Sequence, residues 1–255
     1  MASKCLVIPM LRRWGIAFAL AWGIPALALA GPPYISDDPE PTDLGQYEIY
    51  FFAMGAAGSQ GLELARGVDF NYGAAPNLQL TATLPIVRAE PADQGGVRNG
   101  LGNIELAAKY RFLRQDETGW DVAIFPRVFL PSESAAFGDR GTSLFLPIWL
   151  EKDWETGWST FGGGGCELHR GADARNFCLA GWAVTRQLTK TVQLGVELVH
   201  QGADAQDSKP STSAGFGIKI DLDAHFHFLA YAGPGLQNVS PAARYNWYTS
   251  LLLTF

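Results

Sequence analysis

The side chains best suited to chemistry in this 255-residue sequence are its four histidines, His169, His200, His225 and His227. None belongs to an HExxH or similarly dense metal-binding motif. His225 and His227 lie two residues apart and would share one face of a strand, but no third ligand is evident. We therefore expect a polar pair near the edge of the fold, and we predict neither a bound metal nor a cofactor.

Hydrolytic chemistry would require a nucleophile beside a general base. The sequence contains no G-x-S-x-G motif, and Ser159 and His169 are ten residues apart, about 33 Å along an extended strand. The glycine run at 162–165 lacks the Lys-Ser/Thr pair of a phosphate-binding loop. Glycines within a strand more often mark a bend or the close approach of a bulky neighbour. We predict that the protein is not an enzyme.

The first thirty residues have the pattern of a secretory signal peptide. Lys4, Arg12 and Arg13 precede an apolar stretch at 14–27, which is followed by small residues. This order of charge, apolar core and small residues is typical of a cleaved leader. The alternative is a retained anchor helix, for which the apolar stretch is short. We predict a signal peptide at 1–30.

Removal of that peptide would leave 16 basic and 25 acidic residues, a formal charge of −9. An acidic chain of this kind is a poor match for nucleic acid, which we exclude as a partner. Two cysteines would also remain, Cys166 and Cys178, in an exported protein where disulfides can form. They are equidistant from residue 172, so they would face each other in a symmetric hairpin, whereas a register slip would separate them.

Beyond residue 30, apolar residues recur with period two rather than with helical spacing. In NIELAAKYRF, for example, Ile104, Leu106 and Tyr110 share one face, and Glu105 and Lys109 share the other. We count twelve such runs, at about 45–55, 61–72, 78–90, 102–113, 119–131, 141–154, 158–170, 176–188, 191–202, 213–222, 225–236 and 244–255.

The connections between the runs alternate between tight turns and longer segments rich in Gly, Ser and Asp. Strands of about ten residues, an even strand count and two unlike ends are typical of a transmembrane barrel. We therefore predict an all-β fold, an antiparallel up-and-down transmembrane β-barrel of about 12 strands spanning 45–255. An exported soluble barrel or sandwich with its apolar face inward would show the same periodicity.

The final run, RYNWYTSLLLTF, favours lipid outside the barrel. Outer-membrane barrels resemble one another in ending on a phenylalanine, with apolar residues alternating back from it and an aromatic near the ninth position. Here those residues are Trp247, Leu251, Leu253 and Phe255. The resemblance implies that they form an assembly signal at the periplasmic boundary. It also implies the barrel-assembly machinery and outer-membrane lipid as partners, and the outer membrane of a Gram-negative bacterium as the location.

If the apolar face meets lipid, the charged residues of the opposite face line the lumen, and many should pair across strands. Arg66 is an exception that would face lipid, at a cost of about 2–4 kcal/mol near mid-depth. We expect it to lie near the rim, or strand two to contain a bulge near Gly67. The predicted lumen-lining residues are Glu48, Glu63, Asp69, Glu105, Lys109, Arg111, Asp121, Arg127, Glu151, Glu197, Lys219 and Asp221.

The segment at 31–44, rich in proline and acidic residues, precedes the first run. It is extended in character, and the sequence leaves two places for it. It could lie in the periplasm, or it could fold into the barrel as a plug.

Several motifs resemble those of the MetA-pathway phenol-degradation family of outer-membrane β-barrel proteins. They are PPYISDDPEP, YGAAPNLQLTATLP, GLGNIELAAKYRF, SLFLPIWLEK and the final aromatic strand. The resemblance implies a channel or transporter for small solutes, including hydrophobic or aromatic ones, although the solute itself is unknown. The alternative is a structural or adhesion barrel with a filled lumen and no transport.

Overall fold

The computed structural model describes residues 33–58, 61–91, 96–132, 141–170, 175–204, 208–238 and 244–255. The predicted signal peptide at 1–30 lies outside these ranges. Within them the chain forms fourteen β-segments and one short helix, α1 (Gln115–Thr118). None of the described helices is long and apolar enough to span a membrane.

The β-segments are β1 (Tyr47–Gly58), β2 (Gly61–Ala75), β3 (Leu78–Pro91), β4 (Arg98–Leu101), β5 (Ile104–Leu113), β6 (Asp121–Ile124), β7 (Arg127–Leu130), β8 (Ser143–Asp153), β9 (Trp158–His169), β10 (Phe177–Gln187), β11 (Val192–Gln201), β12 (Ser211–Asp221), β13 (Phe226–Gln237) and β14 (Tyr245–Thr254).

These segments form a closed antiparallel barrel of twelve strands, as the sequence predicts. Strands β4 and β5 both pair with β3 and are the two halves of one barrel strand. Strands β6 and β7 are likewise the halves of another, because both lie between β5 and β8. The barrel closes where β1 pairs with β14 over ten residues. Closure leaves no free sheet edge, which a spanning sheet requires.

The two ends of the barrel differ. At the short-turn end lie tight connections such as 76–77 and 154–157, where Asn77 and Gly157 have the positive φ that tight turns demand. In the turn before β13, Asp223 accepts the backbone N–H groups of His225 and Phe226, which lowers the pKa of its carboxyl. The opposite end, here the long-loop end, carries the longer connections, including 131–142.

The apolar residues of the period-two runs face outward. Phe51, Leu84, Val196 and Phe216 lie on the outer wall and are each about half exposed. At the short-turn end Tyr47 stacks on Tyr72 and on Phe255, with ring centroids 4.8 Å and 5.3 Å apart. Apolar strand residues bounded by aromatic rings form the lipid-facing band of a membrane barrel.

The glycine run of β9 lies inside a continuous strand that pairs with β8 and β10 on its two sides. A Cβ on Gly162 would overlap Trp182, and Gly163 pairs with the fully buried Trp149. Missing side chains here make room for large neighbours. Directly after the glycine run, Cys166 lies opposite Cys178, and the structure contains a disulfide between them, with Cα atoms 3.9 Å apart.

Of the two expectations for Arg66, the bulge near Gly67 is wrong. Pairing of β2 with β1 and β3 runs without interruption through Arg66 and Gly67, and the register shift of β2 lies at Gly73 and Ala75 instead. Arg66 is the sixth residue of β2 and is exposed on the outer wall. On both sides of Arg66, the apolar residues of β2 face outward and the polar residues face inward. A bulge at Arg66 would turn the apolar side chains beyond it inward, so the strand keeps its register.

Candidate solute path through the barrel lumen

The strand registers place the predicted charged residues on the inner face, opposite the exposed apolar side chains. Glu105, Lys109, Arg127 and Glu197 are buried there. Lys109 and Arg127 pair with the N-terminal segment, residues 33–44, whereas Arg111 with Asp121 and Arg127 with Glu105 pair across strands as the sequence suggested. Others on this face are Glu48, Glu63, Asp69, Arg111, Asp121, Glu151, Lys219 and Asp221.

Asp37 of the N-terminal segment bridges two cations from the barrel wall. Its Oδ1 atom lies 2.9 Å from Lys109 Nζ, and its Oδ2 atom lies 2.8 Å from Arg127 Nη2. The ring of Phe125 lies beneath both cations, 5.0 Å from Lys109 Nζ and 4.3 Å from Arg127 Cζ. All three charged side chains are almost inaccessible, so each depends on the others for its partner.

Further polar contacts surround this centre. Lys109 Nζ also lies 3.4 Å from Asp38 Oδ1 and 3.3 Å from the carbonyl oxygen of Glu40. Arg127 Nε lies 3.6 Å from Glu105 Oε1. The wall therefore holds the N-terminal segment through a network rather than through one ion pair.

A slot free of side chains receives the start of the N-terminal segment. A Cβ on Gly181 would overlap Ser36 Oγ, a Cβ on Gly195 would overlap the hydroxyl group of Tyr34, and a Cβ on Gly217 would overlap its ring. These three glycines lie on the inner faces of three consecutive strands, β10, β11 and β12. Their missing side chains make the room that the segment occupies.

Backbone groups of the N-terminal segment find partners on the wall. Glu197 accepts the N–H of Ile35 at 3.0 Å through Oε2 and that of Ser36 through Oε1. Further along, Thr42 donates its N–H to Gln79 Oε1 at 2.9 Å. Apart from an isolated bridge between Leu44 and Gly73, the described segment pairs with no strand, so such side-chain acceptors satisfy its backbone donors.

The inner face is more aromatic than the charge pattern predicts. One buried cluster surrounds Tyr34, whose ring centroid lies 5.5 Å from that of Phe161 and 6.0 Å from that of Tyr231. Phe52 and Tyr248 complete its aromatic members. A second cluster contains Phe125, Phe145, Trp149, Leu179 and Val199, with Ile35 packed against it.

The functional signal that sequence reasoning missed was thus carried by glycines and aromatics. Gly195 and Gly217 were visible on the polar faces of their runs, and adjacent strands that lack side chains on one face indicate that something must fill the space. Asp37 gave no such signal, since its partners are more than seventy residues away in the chain.

The other candidate residues are spread over the barrel. Ser159 donates to Glu151 Oε1 at 2.9 Å, whereas His169 Nε2 lies 3.2 Å from Glu167 Oε1 at the other end of β9. His227 pairs with Asp221 at 2.7 Å near the short-turn end. In the described part of the chain, no group of three or more His, Cys, Asp and Glu side chains could hold a metal ion.

The proposed assembly residues lie along the closing strand. Leu251 and Phe255 are exposed on the outer wall, and the register of β14 with β1 puts Trp247 and Leu253 on the same face. That the barrel-assembly machinery recognises these residues stays a prediction.

A closed twelve-stranded barrel with an apolar outer wall and charged and aromatic residues inside is a transmembrane barrel of the outer-membrane type. The sequence places it more narrowly. Residues 52–244 match the family described as "Putative MetA-pathway of phenol degradation", and the chain belongs to this family.

Solved structures with the same fold include an outer-membrane channel from Pseudomonas putida F1, the COG4313 channel, with a TM-score of 0.71 at 14% identity over 86% of this chain and 98% of that one. The NanC porin gives 0.53 at 11% identity, over 82% and 98%. The β domain of the Bordetella autotransporter BrkA gives 0.51 at 14% identity, over 83% and 99%. No curated protein sequence matches the chain.

Proposed function

We propose that the protein is a channel in the outer membrane of a Gram-negative bacterium, that it passes small apolar or aromatic solutes, and that its N-terminal segment closes the lumen as a plug. The observation that carries the proposal is the double ion pair of Asp37 with Lys109 and Arg127. It holds a segment that belongs to no barrel strand inside the barrel. A path therefore opens when that segment moves, without any change in the sheet.

The aromatic lining supports the choice of solute. If Tyr34 leaves with the N-terminal segment, Phe52, Phe161, Tyr231 and Tyr248 remain around the vacated space. Aromatic rings stack favourably on one another at centroid separations of 4.5–7 Å. A phenol-sized ring would find the same partners that Tyr34 uses. The family description, which names phenol degradation, agrees with such a solute, and the similar fold of the Pseudomonas putida channel supports the channel role alone.

A second function is a structural or adhesion barrel with a permanently filled lumen. The near-complete burial of Asp37, Lys109 and Arg127 favours it, because separating a buried ion pair costs about 3–5 kcal/mol. Such a barrel would have no open state.

Current recordings on the purified chain in a planar bilayer distinguish the two functions. We expect discrete openings and a current that phenol interrupts in a concentration-dependent way, since a bound ring would obstruct ion flow. Glucose, a polar solute of comparable size, is the matched control and should interrupt the current far less. A bilayer that stays silent at all voltages, or a current that phenol and glucose affect equally, would contradict the channel proposal.

A further inference from the structure

The outer wall carries a charge that the channel does not use. Arg66 faces outward from β2, where its partners across the sheet are Ala53 of β1 and Ile86 of β3. No ion pair or side-chain hydrogen bond joins Arg66 to another residue in the described ranges. An unpaired arginine on the lipid face is destabilising, more so the deeper it lies in the bilayer. A ligand that supplies an anionic group would offset that cost.

Below Arg66, toward the short-turn end, lies an open apolar groove of about 570 Å³. Small residues, Ala53 and Thr249, form its floor, and Phe51, Phe228 and Leu251 are among the larger side chains at its sides. The groove runs across the neighbouring strands β13, β14, β1, β2 and β3, and its apolar walls suit a hydrocarbon chain.

Above Arg66, toward the long-loop end, lies a smaller recess of about 250 Å³ with more polar walls. Arg66, Arg88, Asn99 and Trp247 line it. Arg88 is the diagonal neighbour of Arg66 across the β2–β3 pair, a distance of about 7–8 Å between such positions. Two guanidinium groups, an amide and an indole N–H are donors that suit a phosphate.

The depth of the two arginines fits the outer edge of the membrane. Arg66 lies six residues from Tyr72 of the aromatic girdle, a rise of about 15 Å for a strand tilted by about 40°. Arg88, opposite Leu64, lies two residues further toward the long-loop end, about 5 Å higher. In an apolar band about 25 Å tall, both guanidinium groups can extend to the far headgroup level.

We propose that this site binds lipid A of the outer leaflet, with a lipid phosphate on Arg66 and Arg88 and an acyl chain in the groove over Ala53 and Thr249. The order of the two compartments supports this occupant. Headgroup donors lie toward the long-loop end, which faces outward in this class of barrel, and the apolar groove lies deeper. The site depends on the outer-membrane location but not on transport.

The charges around the site favour an anion over a cation. Among the described residues, Glu90 is the one acid beside it, and it already accepts hydrogen bonds from Nε of Arg88, at 2.6 Å, and from Nη2. Arg88 keeps other donors free for a second acceptor, because a guanidinium group has five. Arg66 contributes a full positive charge that no described acidic residue neutralises.

Native mass spectrometry of the detergent-solubilised full chain, titrated with bisphosphorylated hexa-acyl lipid A, tests the site. The wild type should retain one lipid A molecule. Arg66→Leu should lower its apparent affinity about tenfold, because charge-assisted hydrogen bonds to phosphate are lost. The variant should still fold, since leucine suits a lipid-facing position, and heat-dependent gel migration reports this directly.

Three comparisons make the result specific. Arg186→Leu removes a basic residue of the outer wall at the short-turn end, beside Trp158, and should leave binding unchanged. Dephosphorylated lipid A and phosphatidylglycerol should bind the wild type weakly. Equal binding by Arg66→Leu and the wild type, or equal binding of either comparison lipid, would overturn the proposal.

A second variant tests the groove. Ala53→Phe fills its floor from the lipid side and should weaken lipid A binding about threefold through lost apolar contact. Neither Arg66→Leu nor Ala53→Phe touches the lumen, so both should keep the wild-type response to phenol in a planar bilayer. A groove variant with unchanged lipid affinity would contradict the acyl-chain part of the site.

Discussion

Asp37 neutralises two buried cations at once, and no other residue of the N-terminal segment does so in the described structure. Both carboxylate oxygens are used, one for Lys109 and one for Arg127. We therefore expect Asp37 to contribute most to the docking of the segment. Removing one member of a buried ion pair costs several kcal/mol, because the remaining charge is left buried without a partner.

We predict that Asp37→Asn increases the fraction of time the channel is open more than tenfold, because an amide cannot neutralise Lys109 and Arg127 and about 3–5 kcal/mol of docking energy is at stake. Single-channel recording measures it. Asp43→Asn is the matched control, because Asp43 belongs to the same segment and contributes its carbonyl oxygen, not its carboxylate, to Gln46. Equal opening in the two variants would contradict a role for the ion pairs.

At this scale the sequence predicts which strand residues face inward, but not what they bind. Period two places Lys109 and Glu197 on the lumen side. Their partners in 33–44 carry no periodicity, and contacts such as that of Ile35 with Glu197 join residues 162 positions apart. A local pattern holds no information about such a pairing.

The strands themselves follow closely from alternation and turn residues. The twelve predicted runs correspond to the twelve barrel strands, with ends that differ by a few residues. Alternation does not reveal the two interrupted strands, in which Gly102 and Pro126 separate the halves. Pro126 lacks the N–H that an uninterrupted ladder would need.

The β9–β10 hairpin offers a prediction at the same scale. Replacing both Cys166 and Cys178 with serine should destabilise the barrel by about 3 kcal/mol, the loop-closure contribution expected for a bridge across 12 positions. Urea unfolding from lipid vesicles measures the change. Wild type treated with a reducing agent should match the double variant, and an unfolding curve that reduction leaves unaltered would contradict a stabilising bridge.

In the whole molecule, the lumen of the barrel contains the chain's own N-terminal segment. The outer wall is apolar, and the lumen combines buried ion pairs with two aromatic clusters around the N-terminal segment. The sequence indicates the barrel and leaves the place of 31–44 open, because composition alone suits both a periplasmic tail and a plug. The slot formed by Gly181, Gly195 and Gly217 distinguishes a plug from a periplasmic tail, because it gives the segment room inside the barrel. The slot is recognised only when the register of the three strands is known.

A reversible tether between Ser36 and Gly181 tests the plugged channel most directly. A Cβ on Gly181 would overlap Ser36 Oγ, so in the Ser36→Cys/Gly181→Cys double variant a small shift of the side chain at position 36 relieves the overlap and places two thiols within bonding range. In a planar bilayer we predict a silent channel under oxidising conditions and openings after reduction. Reduction of the wild type, which breaks only the Cys166–Cys178 bridge, is the control. A tethered protein that conducts as the reduced protein does would contradict the proposed plug.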